Sequence, residues 1–442
     1  MRYIALLGLL TILIFAGIKY LVIDIKLPNL GSSESSVYEP STTDIITPVD
    51  LLEGGVDELV VRALLTDGAP HTTSNIRRGD LVGDGNSQIF VSEPTRGQVV
   101  WLRDQDEPVI ISDGLREPVR THISDIDLDG DKDILVADIG TLWESDAKVG
   151  RVVLKRNNGD FEFSTEVLLE KVGRVACAES ADFDDDGDID IAVCVFGNTT
   201  GKIVWMEQKE NFRFEEHVLD ARPGAIHAFP FDADGDSDID LAVSLSQDYE
   251  EVLLFRNNGK GDFSKEILFN SDKIYFAMTG IELFDLDQDG DIDILVTNGD
   301  ALNYYEIPDG VDPNNVHGLS WLENNGSGEF QYRDIIRIWG AYAVKPLDVD
   351  GDNDIDLVLS TMQLPEVFPR ARLQGMIWLE NDGRQDFVRH DIGLNVPSMT
   401  ASIEVFDLDG DGSFEILGGT MDQSGGDAGH RLFSFKPLSA HD

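Results

Sequence analysis

The chain has 442 residues, 42% of them apolar, which is enough for a sizeable core and excludes wholesale disorder. Its 34 basic and 83 acidic residues leave a formal net charge of -49, and so acidic a surface speaks against nucleic acid or an anionic membrane surface as a partner. Two cysteines without a Cys-x-x-Cys exclude a disulfide-dense scaffold, a four-cysteine zinc site and a redox motif.

Residues 3–18 are apolar apart from Thr11, follow Arg2, and read as an export signal. After Lys19 the apolar character resumes through Tyr20, Leu21, Val22 and Ile23. From Tyr3 to Ile23 is 21 residues, close to what a spanning helix needs, and no Ala-x-Ala pattern follows. An uncleaved signal anchor (residues 1–25) is therefore favoured over a cleaved peptide, with the remainder of the chain in the periplasm or extracellular space. Membrane contact is expected through this segment only, and a cleaved peptide would leave a secreted protein. Residues 26–57, rich in Ser, Thr and Pro, read as a solvated tether.

One pattern then recurs seven times, at spacings of 45 to 63 residues. Its clearest copy is Asp285-Leu286-Asp287-Gln288-Asp289-Gly290-Asp291-Ile292-Asp293, followed by the apolar run Ile294-Leu295-Val296. Carboxylates at positions 1, 3, 5 and 9, with the backbone carbonyl of position 7, can fold around one hard cation, and such a loop suits calcium better than magnesium. The candidate ligands are Asp125, Asp127, Asp129, Asp131 and Asp133; Asp182, Asp184, Asp186, Asp188 and Asp190; Asp232, Asp234, Asp236, Asp238 and Asp240; Asp285, Asp287, Asp289, Asp291 and Asp293; Asp348, Asp350, Asp352, Asp354 and Asp356; and Asp407, Asp409, Asp411, Ser413 and Glu415. About six calcium ions, mainly structural, are expected. The first copy, from Asp80, replaces two carboxylates by Val82 and Gln88 and is expected to bind nothing tightly. Position 6 is Gly in four of the six full copies but Ser237 and Asn353 in two, and Ser237, the less tolerant of a left-handed backbone, predicts a weaker fourth site. An EF-hand is excluded, because position 12 is Val136, Val193, Val243, Val296, Leu359 or Gly418, none able to ligate.

The runs flanking each loop are short and rich in branched residues, so the loops close β-hairpins. A second signature follows in each unit, as in Trp321-Leu322-Glu323-Asn324-Asn325-Gly326: a strand entering a tight turn. A further strand comes next, as in residues 166–169, 216–219 and 265–269. Four short strands in about fifty residues make one propeller blade. The last unit stops after its third strand, and residues 59–65, which precede the first loop without a unit of their own, are expected to supply the fourth and close the ring. The fold class is thus all-β, a seven-bladed propeller over residues 58–437 with a short tail at 438–442.

These acidic loops resemble the FG-GAP and VCBS repeat propellers, whose relatives include integrin α-subunit heads. The resemblance runs from Leu59 to Phe435, although the literal Phe-Gly to Gly-Ala-Pro signature is absent. It implies calcium in the Asp-x-Asp-x-Asp-Gly-x-x-Asp loops on one face of the disc.

Other residues fit around that frame. Trp101, Trp205, Trp321 and Trp378 occupy equivalent strand positions and read as packing between blades rather than a sugar-stacking ring. Arg77, His122, Glu179, Phe229, Glu282, Lys345 and Glu404 stand three residues before each loop, and the six polar or charged ones among them are expected to form salt bridges around the central channel. Cys177 and Cys194 face each other across a hairpin, as a disulfide or as two buried thiols. On the face opposite the acidic loops, long connections of blades 5 to 7 offer Tyr304, Tyr305, His317, Arg370, Arg372 and His430 as candidate ligand-binding residues. No catalytic motif is found. The expected role is adhesion to, or binding of, a glycan or protein ligand; the alternatives are a polysaccharide lyase or hydrolase using the long loops, and an envelope scaffold.

Overall fold

The strand after each acidic loop dictates the architecture. Asp133–Asp138, Asp190–Val195, Asp240–Leu245, Asp293–Asn298, Asp356–Thr361 and Glu415–Thr420 are buried along their whole length. A strand buried on both faces needs a layer packed against each side, and in a ring of sheets the two neighbours supply both. The computed structural model describes residues 72–103, 108–300, 307–363, 375–392, 399–407, 412–421 and 432–435, with the backbone of 47–49. It is a seven-bladed β-propeller whose blades span residues 75–112, 118–172, 175–220, 225–270, 278–337, 341–392 and 400–435, each an antiparallel sheet with its strands in sequence order from the centre outward. Each acidic loop joins the first strand of a blade to the second.

An apolar cluster fills every gap between neighbouring blades. The gap between the last and first blades holds Ile76, Ile89 and Val91 against Leu417 and Leu432. It is sealed by Thr73 N–H on the Thr420 carbonyl at 2.9 Å and Ile76 N–H on Ser402 Oγ at 2.8 Å. Residues 59–65, the expected closing strand, lie outside the described residues, and among the described residues blade 7 has three strands. A strand is instead added where the sequence reads as tether: Thr47–Val49 pairs in parallel with Phe387–Ile392 on the outer edge of blade 6. An open edge offers unpaired N–H and C=O groups, and the β-branched Thr47 and Val49 suit such pairing. Among the described residues no helix is long and apolar enough to cross a membrane; the expected anchor lies outside them.

The four tryptophans are buried, as interblade packing requires. Trp205 meets Phe263 of the next blade edge-on at 5.7 Å. Gly261 beside it has φ +70°, and a Cβ there would lie 2.1 Å from the indole. Cys177 and Cys194, in register on adjacent strands of blade 3, are joined by a disulfide with Cα atoms 4.9 Å apart.

Side chains of the innermost strands fill the centre of the ring. Glu179 of blade 3 accepts from Arg77 of blade 1 at 3.2 Å and pairs with His122 of blade 2 at 2.7 Å. Lys345 pairs with Glu282 at 2.7 Å and Glu404 at 3.7 Å. Phe229 offers its ring to the guanidinium groups of Arg77 and Arg120. The expected network is present, and it extends one layer further. Arg120 of blade 2 donates to His227 Nε2 of blade 4, whose Nδ1 faces the Ile281 carbonyl at 3.0 Å. Burial, with Arg120 alongside, holds His227 well below its ordinary pKa, so it is the neutral acceptor that Arg120 requires.

Two measurements test this packing. Gly261→Ala adds left-handed strain to a collision with Trp205 and should destabilise the fold by about 3 kcal/mol, read as a lower urea midpoint. Burial opposes ionisation of Glu179, but Arg77, His122 and Arg120 outweigh it and hold the carboxyl at about 2 instead of 4.5. A depressed acid contributes stability that is complete above its unfolded value and is lost as pH falls toward the folded one. Glu179→Gln should therefore cost about 3 kcal/mol at pH 7, by leaving buried cations unpaired, and should flatten the loss of stability between pH 4.5 and 2.

Candidate metal centres

Each acidic loop is held by its own backbone. Position 1 accepts the N–H of position 6: Gly130 on Asp125 at 3.1 Å, Gly187 on Asp182 at 3.0 Å, Ser237 on Asp232 at 2.9 Å, Gly290 on Asp285 at 3.0 Å, Asn353 on Asp348 at 3.1 Å and Gly412 on Asp407 at 2.9 Å. Position 5 accepts the N–H of position 7, as in Asp131 on Asp129 and Asp188 on Asp186, both at 2.9 Å. In each loop of blades 2 to 6 two residues are left-handed, at positions 4 and 6. Where Gly130, Gly187 and Gly290 hold position 6, Leu128, Asp185 and Gln288 hold position 4; where Ser237 and Asn353 hold position 6, Gly235 and Gly351 hold position 4. One glycine thus serves each of these loops, and Ser237 stands at φ 77°, in the left-handed region on which the expected weakening rests.

Position 9 opens the buried strand, and its carboxylate has a second duty. In blade 2, Asp133 accepts Ile126 N–H at 3.1 Å on one oxygen and Asn157 N–H of the outer hairpin at 2.8 Å on the other. Asp190 does the same with Phe183 and Gln208, Asp240 with Ala233 and Asn257, Asp293 with Leu286 and Asn324, and Asp356 with Val349 and Asn381. The hairpin asparagine returns a bond, as Asn324 Nδ2 donates to the Ile292 carbonyl at 3.1 Å and to the Ala233 carbonyl of the preceding blade at 2.9 Å. Sequence reading took these asparagines for turn residues only; their recurrence at one offset from the loop was the available signal. In blade 1, Gln88 Oε1 accepts Leu81 N–H at 2.8 Å, so a neutral amide keeps the structural bond without the charge, while Val82 stands exposed at position 3.

What remains is an all-oxygen cluster. Carboxylate oxygens lie within 4.8 Å of one another in Asp125/Asp127/Asp133, Asp182/Asp184/Asp190, Asp232/Asp234/Asp240 and Asp285/Asp287/Asp289. The Oδ1 atoms of Asp125, Asp127, Asp182, Asp184, Asp234 and Asp287 are buried and accept no hydrogen bond. Burial lifts Asp133, Asp190, Asp240 and Asp356 to about 6, and Asp293 to about 7. Crowded carboxylates with orphaned oxygens are the donor set of a hard cation. At position 7, the carboxylates of Asp238, Asp291 and Asp354 lie against Gly259, Gly326 and Gly383 of the outer hairpins, where a Cβ would collide with them. In the last loop Asp409 and Asp411 lie outside the described residues, Ser413 is exposed and Glu415 is buried.

The opposite face is different. Tyr304, Tyr305, Arg370, Arg372 and His430 lie outside the described residues. His317 is buried rather than displayed on a loop, with Nε2 2.9 Å from the Tyr275 carbonyl, and burial lowers it to about 4. Its burial and this bond make it part of the connection's packing, an outcome that loop length alone does not reveal.

The FG-GAP-like repeat family matches residues 125–193, 182–243 and 232–296, each stretch running from one acidic loop through the buried strand of the next blade. No curated protein matches the sequence. Among solved structures, BBS1N in complex with ARL6DN is similar at 11% identity over 90% of this chain and 99% of that one, with a TM-score of 0.50. A catalytically inactive virginiamycin B lyase from Staphylococcus aureus, with quinupristin, is similar at 10% identity over 84% of this chain and 97% of that one, with a TM-score of 0.49. At such identities the likeness is one of fold alone. Repeat and blade count agree, and the chain carries FG-GAP-like repeats within a seven-bladed β-propeller.

Proposed function

We propose that this propeller is an exported calcium-binding module, tethered to a membrane by its N-terminal segment, that presents a rigid disc to a glycan or protein ligand outside the cytoplasm. The calcium reading is carried by the buried carboxylate oxygens that accept no hydrogen bond in the acidic loops. Asp125, Asp127, Asp129 and Asp133, and their counterparts in the other full loops, would hold the ion. Its positive charge offsets the repulsion among them, so the ion acts on stability rather than on chemistry. Magnesium, which keeps several waters and demands near-ideal octahedral geometry, suits this carboxylate-rich loop less well. Export is supported by the apolar N-terminal run and by the Cys177–Cys194 disulfide, a bond at home in oxidising compartments. A binding role is supported by the fold, since propellers with such repeats are binding-type modules. No described side chain favours the lyase or hydrolase alternative: five of its six candidates lie outside the described residues, and His317 is buried.

Chelator should lower the melting temperature strongly, and millimolar calcium should restore it; an unchanged melt would overturn the calcium reading. Asp287→Asn gives a sharper test, because its effect should change sign. In calcium the variant loses a ligand and should melt lower than wild type. In chelator it is relieved of burial and of repulsion from Asp289, Glu323 and Asp285, and should melt at the same temperature or higher. The ligand class is tested by incubating the full chain with a panel of extracellular polysaccharides in calcium and in chelator. Calcium-dependent retention without release of fragments is the expected result; fragment release would make the protein an enzyme, and neither signal would favour a protein partner or an envelope scaffold.

A further inference from the structure

Although Lys132 in blade 2 and Asp185 in blade 3 add charge at even positions, each acidic loop of blades 2 to 6 carries the same five odd-position carboxylates, so the ligand set does not distinguish them. The residue at the end of the third strand, just before the hairpin asparagine or glutamine, does. It is Arg156 in blade 2 and Arg256 in blade 4, but Glu207, Glu323 and Glu380 in blades 3, 5 and 6.

The arginines reach into the loops. Arg156 Nη1 pairs with Asp127 Oδ2, and Arg256 Nη1 with Asp234 Oδ2 at 3.4 Å, in both cases the position 3 carboxylate. Neither guanidinium is free to leave. Arg156 also pairs with Glu166 at 3.2 Å and stacks 4.0 Å over Phe212 of the next blade. Arg256 pairs with Glu266 at 2.9 Å and donates to the Gly328 carbonyl of the next blade. The glutamates turn to side chains of their own hairpin instead: Glu207 to Lys209 and to His217 at 2.7 Å, Glu323 to Arg333, and Glu380 to His390 at 2.5 Å.

Orientation does not explain the arginines. Oδ1 of the position 3 aspartate is buried and without a hydrogen bond in Asp127 and Asp234, which have the arginine, and equally in Asp184 and Asp287, which do not. What the arginine adds is a positive charge on Oδ2, the other oxygen of a ligand carboxylate.

We infer that the sites fall into two affinity classes, with Arg156 and Arg256 acting as built-in counter-ions that weaken cation binding in blades 2 and 4 and neutralise those loops when no cation is bound. The inference rests on the calcium reading above. The sites of blades 3, 5 and 6 fill first, and those of blades 2 and 4 fill only as calcium rises further.

Calcium equilibrium dialysis of the full chain tests this, with uptake counted per chain across the titration. Wild type should take up calcium in two steps, the upper one including the ions of blades 2 and 4. In Arg156→Gln/Arg256→Gln, two ions should move from the upper step to the lower, a tightening of about tenfold or more for removal of a charge so close to a divalent ion. Arg156→Lys/Arg256→Lys, which keeps the charge, should retain the wild-type steps. The glutamine variant should also lose more stability in chelator than in saturating calcium, where a cooperative melt reports that it has folded. Single-step uptake by wild type, or a glutamine variant with unchanged steps, would overturn the inference and leave the calcium reading standing. No uptake by wild type would overturn both.

Discussion

Two backbone N–H groups, one from the acidic loop and one from the outer hairpin, converge in each of blades 2 to 6 on the two oxygens of a single buried aspartate. In blade 5 these are Leu286 at 3.0 Å and Asn324 at 2.8 Å on Asp293. The loop lies between the first and second strands and the hairpin between the third and fourth, so this carboxylate ties the inner and outer halves of one blade end together. It stands at the start of a strand buried on both faces, where unmet N–H groups would be expensive and where a charge is expensive too. Gln88 shows that an amide can serve the loop N–H in blade 1. That the other blades use an acid implies a purpose beyond hydrogen bonding.

That purpose is visible in the remaining carboxylates. Position 5 spends one oxygen on the loop's own N–H groups, and position 1 spends one in blades 2 and 3 and both in blades 4 to 6, which fixes their direction, while buried oxygens at position 1 of blades 2 and 3 and at position 3 of blades 2 to 5 accept nothing. A loop built this way is poorly neutralised by itself and well suited to a divalent cation. The blades resolve the same problem differently, because Arg156 and Arg256 bring a permanent positive charge to their loops whereas Glu323 and Glu380 bring further acid. The acidity of the chain is therefore distributed unevenly around the disc although these loops share the same odd-position carboxylates.

Much of this was legible in the sequence. The two-residue spacing of the aspartates, the apolar run after them and the repeated hairpin signature indicated blade, count and ring, since each depends on local periodicity. The charges three residues before each loop indicated the central network for the same reason. Less legible were partners brought together from distant blades. Arg120 and His227 meet across the centre, and nothing near either in the chain marks the other. The exchange of glycine between positions 4 and 6 was hidden because only the backbone shows that both positions are left-handed. His317 looked available on a long connection, and packing against Tyr275 removed it from the surface.

The sequence by itself determined the repeat, the all-β class and the residues able to surround a cation, because these follow from spacing within a few residues of each other. Only the tertiary structure decided which carboxylate is a buried structural acceptor, which oxygens are left without partners, and which loops share a guanidinium. Those outcomes depend on the third strand and its hairpin folding back over a loop some twenty to thirty residues earlier in the chain. Burial and charge pairing act through space, and the ring supplies the proximity that spacing along the chain does not contain.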